Sequence, residues 1–275
     1  MTVSQRPPGQ GATRADDARL RLRRNPLRLA VSAAPWAGAW YLVCYLAVGW
    51  VLFAVAFTSA VVAAVFAITL AGLPLLVGCA GVMRGCANFE RVRLRTAFTR
   101  PVRGSYRTVT QPGIMAQVRV RWKDPATWRD LAYLVGLWVP LFLLDTIVFS
   151  VWLTLLAGVT LPAWYWAPRN DFDNGASAHG VQLGYLPNGP HGPGGVGLWV
   201  GSLPTALLAA AGFLVLFLLF NYVLVATYAA HARTARALLR SPTDPLAEAK
   251  GVLAGPGPLQ PLIPNGGRRM RDSAS

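Results

Sequence analysis

The chain has 275 residues, of which 54% are hydrophobic and only 13% are charged. This balance excludes a disordered chain and an ordinary soluble domain, and it is typical of a polytopic membrane protein. In a soluble domain the net charge of +15 would favour a nucleic-acid partner. Here the basic residues flank apolar runs, a distribution that determines which side of the membrane each flank occupies. No nucleic-acid-binding motif accompanies the charge, so we expect the lipid bilayer as partner and no nucleic acid.

Residues 1–35 form a polar, arginine-rich segment ahead of the first apolar run. They lack the short apolar core and cleavage site of a signal peptide, so we expect a disordered basic cytoplasmic N-terminus. The run Trp36–Met83 has 48 residues without Asp, Glu, Lys, Arg or His. As helix it would span about 72 Å, more than twice a hydrocarbon core of about 30 Å, which predicts two crossings. The small polar pair Thr58-Ser59 marks the predicted break, and Pro74 predicts a kink in the second crossing.

The segment 84–130 carries eleven basic residues against three acidic ones, which predicts a cytoplasmic location by the positive-inside rule. Within it, Asp124 and Pro125 are typical of a helix start, as an N-cap followed by proline at the first helical position. The following apolar run, 131–166, contains a single charged residue, Asp145. A second crossing within this run would place the next basic stem outside the cell, so we predict one crossing.

The segment 167–203 has one basic and two acidic residues and is the predicted extracytoplasmic loop. Within it, Val181–Tyr185 and Val196–Val200 have strand character, which predicts a β-hairpin. Proline and glycine in residues 241–275 predict a disordered cytoplasmic tail. The transmembrane domain is therefore expected at 36–240, with crossings at about 40–57, 60–83, 131–157 and 204–228.

The two halves of the membrane domain resemble each other in sequence. At an offset of 92 residues, Tyr41-Leu42-Val43 aligns with Tyr133-Leu134-Val135, and at an offset of 141, Glu90 of the first basic stem aligns with His231 of the second. Each half holds two crossings and ends in a basic stem, which indicates a parallel repeat. The predicted fold is all-α: an integral membrane four-helix bundle made of two repeated helical hairpins with basic cytoplasmic stems and one extracytoplasmic loop.

Several short segments also resemble one known family. They are Ile68-Thr69-Leu70-Ala71-Gly72-Leu73-Pro74-Leu75-Leu76, the stem from Arg84-Gly85 to Glu90-Arg91, Asp124-Pro125-Ala126-Thr127-Trp128-Arg129, Trp164-Tyr165-Trp166 and Ser202-Leu203-Pro204. Over roughly residues 37–242 the chain resembles the "putative sensor" domain family of actinobacterial multi-pass membrane proteins. The resemblance implies a four-helix membrane module of the kind commonly found in front of a histidine kinase. The residues after the last predicted crossing are too few for a kinase domain, so we expect a histidine kinase or another regulator as a partner in trans.

Asp145 is the first candidate for a functional residue, because a carboxylate near the middle of a crossing costs about 2.5–3.5 kcal/mol on the insertion scale. Such a residue must face the interior of the bundle and find polar partners there. The expected partners are Thr58, Thr69, Asn221, Tyr222 or Thr227 on other crossings. With Asn221 and Tyr222, Asp145 is therefore a candidate ligand or proton site, and the alternative is a protonated or hydrogen-bonded packing residue.

Two further groups of residues are candidates for function. In the extracytoplasmic loop, metal binding or pH sensing would involve Asp171, Asp173, His179 and His191. The loop lacks the third acid and the closing glutamate of a calcium loop, so solvated residues and no metal or cofactor are the favoured interpretation. In the basic stems, the candidates for docking a partner or lipid headgroups are Arg91, Arg95, Arg233 and Arg236, and the alternative is a role in topology alone. We interpret His231 as an interfacial histidine of the second stem.

These observations favour a multi-pass protein of the cell membrane with both termini in the cytoplasm. We expect it to detect an envelope or membrane-borne signal and to act through a partner protein in trans. The alternative is a non-sensory membrane subunit of a transporter or cell-envelope assembly system, because a buried acid and a parallel repeat fit that role too. A homo-oligomer stays an open option. We expect no enzyme activity, since no nucleophile has a plausible base in the sequence pattern.

Overall fold

Long helices dominate the structure, a computed structural model that describes residues 24–67, 72–102, 104–110, 112–190 and 192–240. The helices are α1 (Pro26–Ala30), α2 (Ala33–Phe66), α3 (Gly72–Arg93), α4 (Ile114–Trp122), α5 (Pro125–Leu131), α6 (Trp138–Val159) and α7 (Leu203–Leu239). Short 3-10 turns follow α3 and α6, at Leu94–Thr96 and Leu161–Ala163. Within these residues, four helices (α2, α3, α6 and α7) are long and apolar enough to cross a membrane. The chain is a multi-pass membrane protein, and the predicted all-α bundle is confirmed.

Helix α2 is a single continuous helix of 34 residues. The predicted break at Thr58-Ser59 is wrong, because a backbone surrounded by lipid must keep its helical hydrogen bonds and two small polar side chains do not disrupt them. The chain leaves α2 after Phe66 and begins α3 at Gly72. A Cβ at Gly72 would collide with the carbonyl of Phe66, so the start of α3 approaches α2 as closely as only glycine allows.

Two predictions about helix starts are also corrected. Pro74 lies in the first turn of α3, where a proline removes no helical hydrogen bond, so the predicted kink inside the second crossing is wrong. Disorder was predicted for residues 1–35, but α1 lies within this segment and is capped by Asn25, whose Oδ1 accepts a hydrogen bond of 3.0 Å from the Leu27 N–H. Residues 1–23 and 241–275 lie outside the described part of the chain.

The third crossing begins with two local features that the sequence encodes. The predicted start at Asp124 is confirmed, since its Oδ1 accepts a hydrogen bond of 3.0 Å from the Ala126 N–H at the head of α5. A π-helical turn, Ala132–Gly136, then joins α5 to α6, with the Leu137 N–H donating to the Ala132 carbonyl five residues back at 2.9 Å. Such widened turns are frequent at functional sites, and this one carries the buried Tyr133.

The two helical hairpins, α2–α3 and α6–α7, pack against each other. Helix α2 contacts α3, α6 and α7, and the strongest packing lies within the second hairpin, between α6 and α7. The largest apolar core draws buried residues from both hairpins, including Tyr41, Ala87, Tyr133 and Tyr228. Many large apolar side chains of the long helices point outward instead, as a lipid-facing surface requires.

Between α6 and α7 the chain forms two small antiparallel sheets. Strand β1 (Arg169–Asp171) pairs with β2 (Ser177–His179), and β3 (Val181–Tyr185) pairs with β4 (Val196–Val200). The hairpin predicted from the sequence is confirmed, with Val181 opposite Val200 and Tyr185 opposite Val196. These strands stand beside the first turns of α7, against which they pack.

Close packing of α6 on α7 depends on Gly158, because a Cβ there would overlap the ring of Phe213. We therefore expect Gly158→Ala to lower the free energy of unfolding by about 1–3 kcal/mol, measured by reversible denaturation in detergent micelles. Gly212→Ala is the matched control, since a Cβ built there meets no described heavy atom within 4 Å beyond its own helix. Alanine favours helix, so this control should be neutral or stabilising by up to about 1 kcal/mol. Equal losses from both changes would contradict the packing argument.

Candidate functional site

A buried hydrogen-bonded pair joins α6 to α7. Asp145 Oδ2 lies 2.6 Å from His231 Nδ1, and both side chains have 0% exposure. Asp145 therefore faces the interior of the bundle, as a charge inside a crossing requires. The basic neighbours of His231 led us to interpret it as an interfacial residue. It is buried instead, because α7 continues as one helix to Leu239 and this histidine lies on the side that faces the bundle interior.

Among the described residues, none of the partners predicted for the acid bonds to it. Asn221 Oδ1 accepts a hydrogen bond of 3.1 Å from Trp152 Nε1, and its Nδ2 donates to the Phe217 carbonyl at 2.7 Å. The Tyr222 hydroxyl donates to the Arg24 carbonyl at 2.9 Å. Both residues lie about 14–15 Å along α7 from the true partner, since they precede His231 by ten and nine residues and each residue rises by about 1.5 Å. Of the other expected partners, Thr58 is exposed, Thr227 is buried without a bond to the acid, and Thr69 lies outside the described residues.

Tyr133 connects this pair to a second ion pair. Its hydroxyl lies 3.2 Å from His231 Nε2 and donates to Glu90 Oε2 at 3.1 Å. The same Glu90 oxygen accepts hydrogen bonds from Arg93 Nη2 at 2.7 Å and Nε at 3.1 Å. Arg93 Nη1 also donates to the main-chain carbonyl of Tyr41 on α2 at 3.0 Å. We call the five side chains that bond in this way the polar core: Asp145, His231, Tyr133, Glu90 and Arg93.

Aromatic rings enclose the polar core on the side of α2. The rings of Tyr41 and Tyr45 meet the His231 ring edge-on, with centroids 5.3 and 4.5 Å away. The Arg93 guanidinium lies 3.9 Å from the centroid of the Tyr41 ring and 4.8 Å from that of Tyr45. The faces of the two tyrosine rings attract the Arg93 guanidinium. The same rings cover His231 on this side and exclude water from it.

The hydrogens carried by Tyr133 and His231 determine which atoms of the polar core donate hydrogen bonds. The single hydroxyl hydrogen of Tyr133 points to Glu90, so its oxygen must accept from His231 Nε2–H. The short contact between His231 Nδ1 and Asp145 then holds one further proton, donated by either partner. With Glu90 and Arg93 opposite in charge, the polar core is neutral in this state.

The polar core also joins equivalent positions of the sequence repeat. Glu90 and His231 correspond at the offset of 141 residues, and both contact the Tyr133 hydroxyl. Tyr133 itself corresponds to Tyr41, whose ring packs on His231 and whose carbonyl binds Arg93. The polar core therefore lies where the two halves of the bundle meet.

Arg91 belongs to a separate ion-pair cluster in the first stem. Its Nη2 pairs with Asp130 Oδ1 at 2.8 Å, and its Nε donates to the Leu239 carbonyl at 3.0 Å. Its Nη1 donates to Asn88 Oδ1 at 2.7 Å and to the Tyr106 hydroxyl at 2.6 Å. Only 6% of Arg91 is exposed, so this guanidinium does not lie on the stem surface where docking was predicted. Instead it ties the end of α7 to α3 and α5.

Burial raises the pKa values of two hydrogen-bonded groups in this stem cluster. The Tyr106 hydroxyl donates to Asp130 Oδ2 at 2.7 Å. Burial is the main cause that raises the pKa of Tyr106 to about 12, so it stays protonated as a donor. Burial also raises the pKa of Asp130, against the opposing effects of the Tyr106 hydrogen bond and the Arg91 charge. Arg84 and Asp124 form a second pair beside it, at 3.2 Å.

The other candidate arginines of the stems differ from Arg91. Arg95 and Arg233 are exposed. Arg236 is half-buried, with its guanidinium 4.4 Å from the centroid of the buried Phe98 ring. Two of the four predicted docking residues therefore lie on the surface of the stems, where a partner could reach them.

The acidic and histidine candidates of the outer loop do not converge. Asp171, Asp173 and His179 are exposed, and Asp171 makes a surface ion pair of 3.6 Å with Arg169. Among the described residues, no group of three or more His, Cys, Asp or Glu side chains is placed to hold a metal ion. His191 lies outside the described part of the chain.

Of the polar core, only Asp145 could be recognised from the sequence as a candidate. Its hydrogen bond to His231 and the further connections to Tyr133, Glu90 and Arg93 were not predicted. A signal was present, since the repeat aligns Glu90 with His231. Equivalent positions near the axis of a two-fold repeat come close together, so an acid and a histidine there are natural partners.

Comparison with known proteins identifies the family. A family model described as "Putative sensor" matches residues 41–239, a span that includes all five side chains of the polar core. Neither the curated proteins nor the solved structures yield a match. The family match covers most of the chain and agrees with the resemblance read from its short segments. The chain therefore belongs to the "Putative sensor" family of membrane proteins.

Proposed function

We propose that this protein is a signal-input protein of the cell membrane that acts through a partner in trans. A signal from the envelope or the membrane changes the packing of the four long helices, and the stems pass this change to a histidine kinase or another regulator. The observation that carries the proposal is the polar core, because its hydrogen bonds join α2, α3, α6 with its π turn, and α7. The proposal includes no catalytic step.

A buried polar core of this kind favours discrete states over gradual deformation. Shifting one helix by about an ångström breaks several hydrogen bonds at once, and unpaired polar groups in an apolar interior are costly. Glu90 Oε1 and Asp145 Oδ1 accept no hydrogen bond from the described residues. Each carboxylate thus has an acceptor to which a rearranged neighbour can donate, which supports a second arrangement. A signal must bind the two arrangements with different affinity to shift their populations.

A physical path leads from the polar core to the surface of the stems. Glu90 and Arg93 lie on either side of Arg91 in the sequence. The Arg91 guanidinium pairs with Asp130 and donates to the carbonyl of Leu239 at the end of α7. A change in the polar core therefore moves the ends of α3 and α7 together. The exposed Arg95 lies just beyond this point and supports docking to an acidic surface of a cytoplasmic partner.

The test is a crosslinked pull-down of the full-length tagged protein from its own membranes, with partners identified by mass. We expect a histidine kinase or other regulator with the unchanged protein. The double variant Arg95→Ala, Arg233→Ala should reduce its recovery at least tenfold, because exposed charges at a rim steer association. Arg169→Ala, on the outer side, is the matched control and should leave recovery unchanged. Recovery without any effect of the stem arginines would contradict the docking surface.

The alternative, a transporter or envelope-assembly subunit, has one observation in its favour. Asp145 and His231 share a proton inside a membrane helix bundle, as acids and histidines of proton relays do. The same pull-down separates the two functions. Recovery of transport or envelope-synthesis subunits in place of a regulator would support the alternative and contradict the sensor.

A further inference from the structure

The hairpin formed by β3 and β4 has an unusual composition for a segment outside the membrane. Residues 181–200 contain no Asp, Glu, Lys or Arg, although the β1–β2 hairpin before it carries Arg169 and Asp171. Opposite residues in the register and alternate residues along a strand share one face of a sheet. One face of the hairpin, which we call the apolar face, is therefore formed by Val181, Leu183, Tyr185, Val196, Leu198 and Val200.

The base of the apolar face fixes the depth of the hairpin. Val181 and Leu183 pack against a cluster that includes Ala206, with Ala209 beside it. These alanines lie about 5 and 9 Å along α7 from its first residue, Leu203, since each residue rises by about 1.5 Å. The base of the hairpin therefore stands beside the first two turns of a membrane-crossing helix.

Exposure rises steadily along the apolar face. Val200 at the base is 0% exposed, Leu198 is 49% exposed and Val196 is 83% exposed, with Tyr185 opposite it at 64%. Each Å² of apolar surface left in water costs about 25 cal/mol, so this end of the hairpin favours an apolar environment. Trp166, on the segment just before the sheets, is 62% exposed, as is typical of aromatic residues at a membrane interface.

We propose that the apolar face rests in the headgroup region of the outer leaflet, with Tyr185, Leu198 and Val196 in contact with bilayer lipid. Lipid is the occupant favoured by the position of the hairpin's base beside a membrane-crossing helix, by the absence of Asp, Glu, Lys and Arg from residues 181–200 and by the continuity of the apolar face with that helix. An aromatic hydroxyl beside aliphatic side chains suits the boundary between headgroups and acyl chains.

This contact also gives the proposed sensor an input, and that consequence rests on the proposed function. Helix α7 is continuous from its contact with the hairpin to His231 in the polar core. A change in lipid packing that displaces the hairpin therefore acts on the helix that carries the histidine.

The test places a nitroxide spin label on the full-length protein in vesicles of phosphatidylethanolamine and phosphatidylglycerol. The native Cys44, Cys79 and Cys86 are first replaced by alanine, and a single cysteine is introduced by Val196→Cys. Collision rates with oxygen, which concentrates in lipid, and with a water-soluble nickel chelate are then compared. We expect the oxygen rate to exceed the nickel rate at this position. Asn174→Cys, in the exposed β1–β2 turn, is the matched control and should show the reverse.

Two results would overturn the proposal. A nickel rate above the oxygen rate at position 196 would place the apolar face in water. Low rates for both reagents would show that protein covers it, either a second copy of this chain or another partner. If the Val196→Cys protein does not insert, Tyr185→Cys reports on the same face. The measurement concerns only the hairpin, so its failure leaves the role of the polar core and its partner to the pull-down.

Discussion

Replacing His231 by leucine is expected to lower the free energy of unfolding by about 3–5 kcal/mol, one of the largest effects available in this chain. The change removes the partner of Asp145, whose side chain has 0% exposure, and leaves a carboxylate buried with no hydrogen-bond donor. It also removes the donor to the Tyr133 hydroxyl. Reversible unfolding in detergent micelles, followed by circular dichroism, measures the loss.

A double variant separates the missing partner from a simple packing defect. Asp145→Leu combined with His231→Leu replaces the pair by apolar side chains and should recover most of the loss, because an apolar pair is often as stable as a buried ionic one. The matched control is Asp171→Asn, since that side chain is 80% exposed, and its effect should stay within about 0.5 kcal/mol. A double variant no more stable than His231→Leu alone would contradict the assignment of the loss to an unpaired carboxylate.

The fold could largely be predicted from the sequence, because its main signals are one-dimensional. Apolar runs, basic flanks, the Asp124-Pro125 helix start and the strand character of 181–185 each depend on neighbouring residues alone. The break between α2 and α3 was misplaced because two small polar residues looked like an interruption. The actual constraint is a close approach between Gly72 and the Phe66 carbonyl, which only three-dimensional structure reveals.

The polar core could be predicted only in part, because depth and rotation decide which side chains meet. Asp145 was recognisable from the cost of a charge in lipid. Its partner was sought among polar residues of the predicted crossings, which ended at residue 228. Helix α7 continues without a break to Leu239, so His231 still belongs to the buried bundle in spite of its basic neighbours. His231 lies three residues beyond this predicted end, less than one helical turn, and was therefore left out of the search.

The repeat explains why the polar core has its particular composition. In the first half the stem position is Glu90, and in the second half the equivalent position is His231, so an acceptor and a donor lie on either side of the Tyr133 hydroxyl. Two ionised glutamates could not both bond to this hydroxyl, because a carboxylate only accepts and the hydroxyl has a single hydrogen to donate. Asymmetry at this one position therefore gives two hydrogen bonds of defined direction across the interface of the two hairpins, from His231 to Tyr133 and from Tyr133 to Glu90.

Replacing Glu90 by glutamine is expected to lower the free energy of unfolding by about 3–5 kcal/mol as well. Glutamine retains an acceptor for Arg93, but the negative charge that balances this buried guanidinium is lost. The double variant Glu90→Leu, Arg93→Met should restore much of the stability, because it removes the uncompensated charge. A loss below about 1 kcal/mol for the glutamine variant would mean that Arg93 finds its counter-charge elsewhere, against the polar core as described.

The connection through Tyr133 makes the effects of Glu90→Gln and His231→Leu interdependent. Both positions contact the same hydroxyl, so a double-mutant cycle should give a coupling energy of about 0.5–3 kcal/mol. Tyr133→Phe removes that hydroxyl and leaves the ring in place. In this background we expect the coupling to fall within about 0.5 kcal/mol of zero, the range typical of independent sites. A coupling that survives would show that the two ion pairs act on each other through helix packing, and the hydrogen-bonded chain would then not be the element that joins the halves of the bundle.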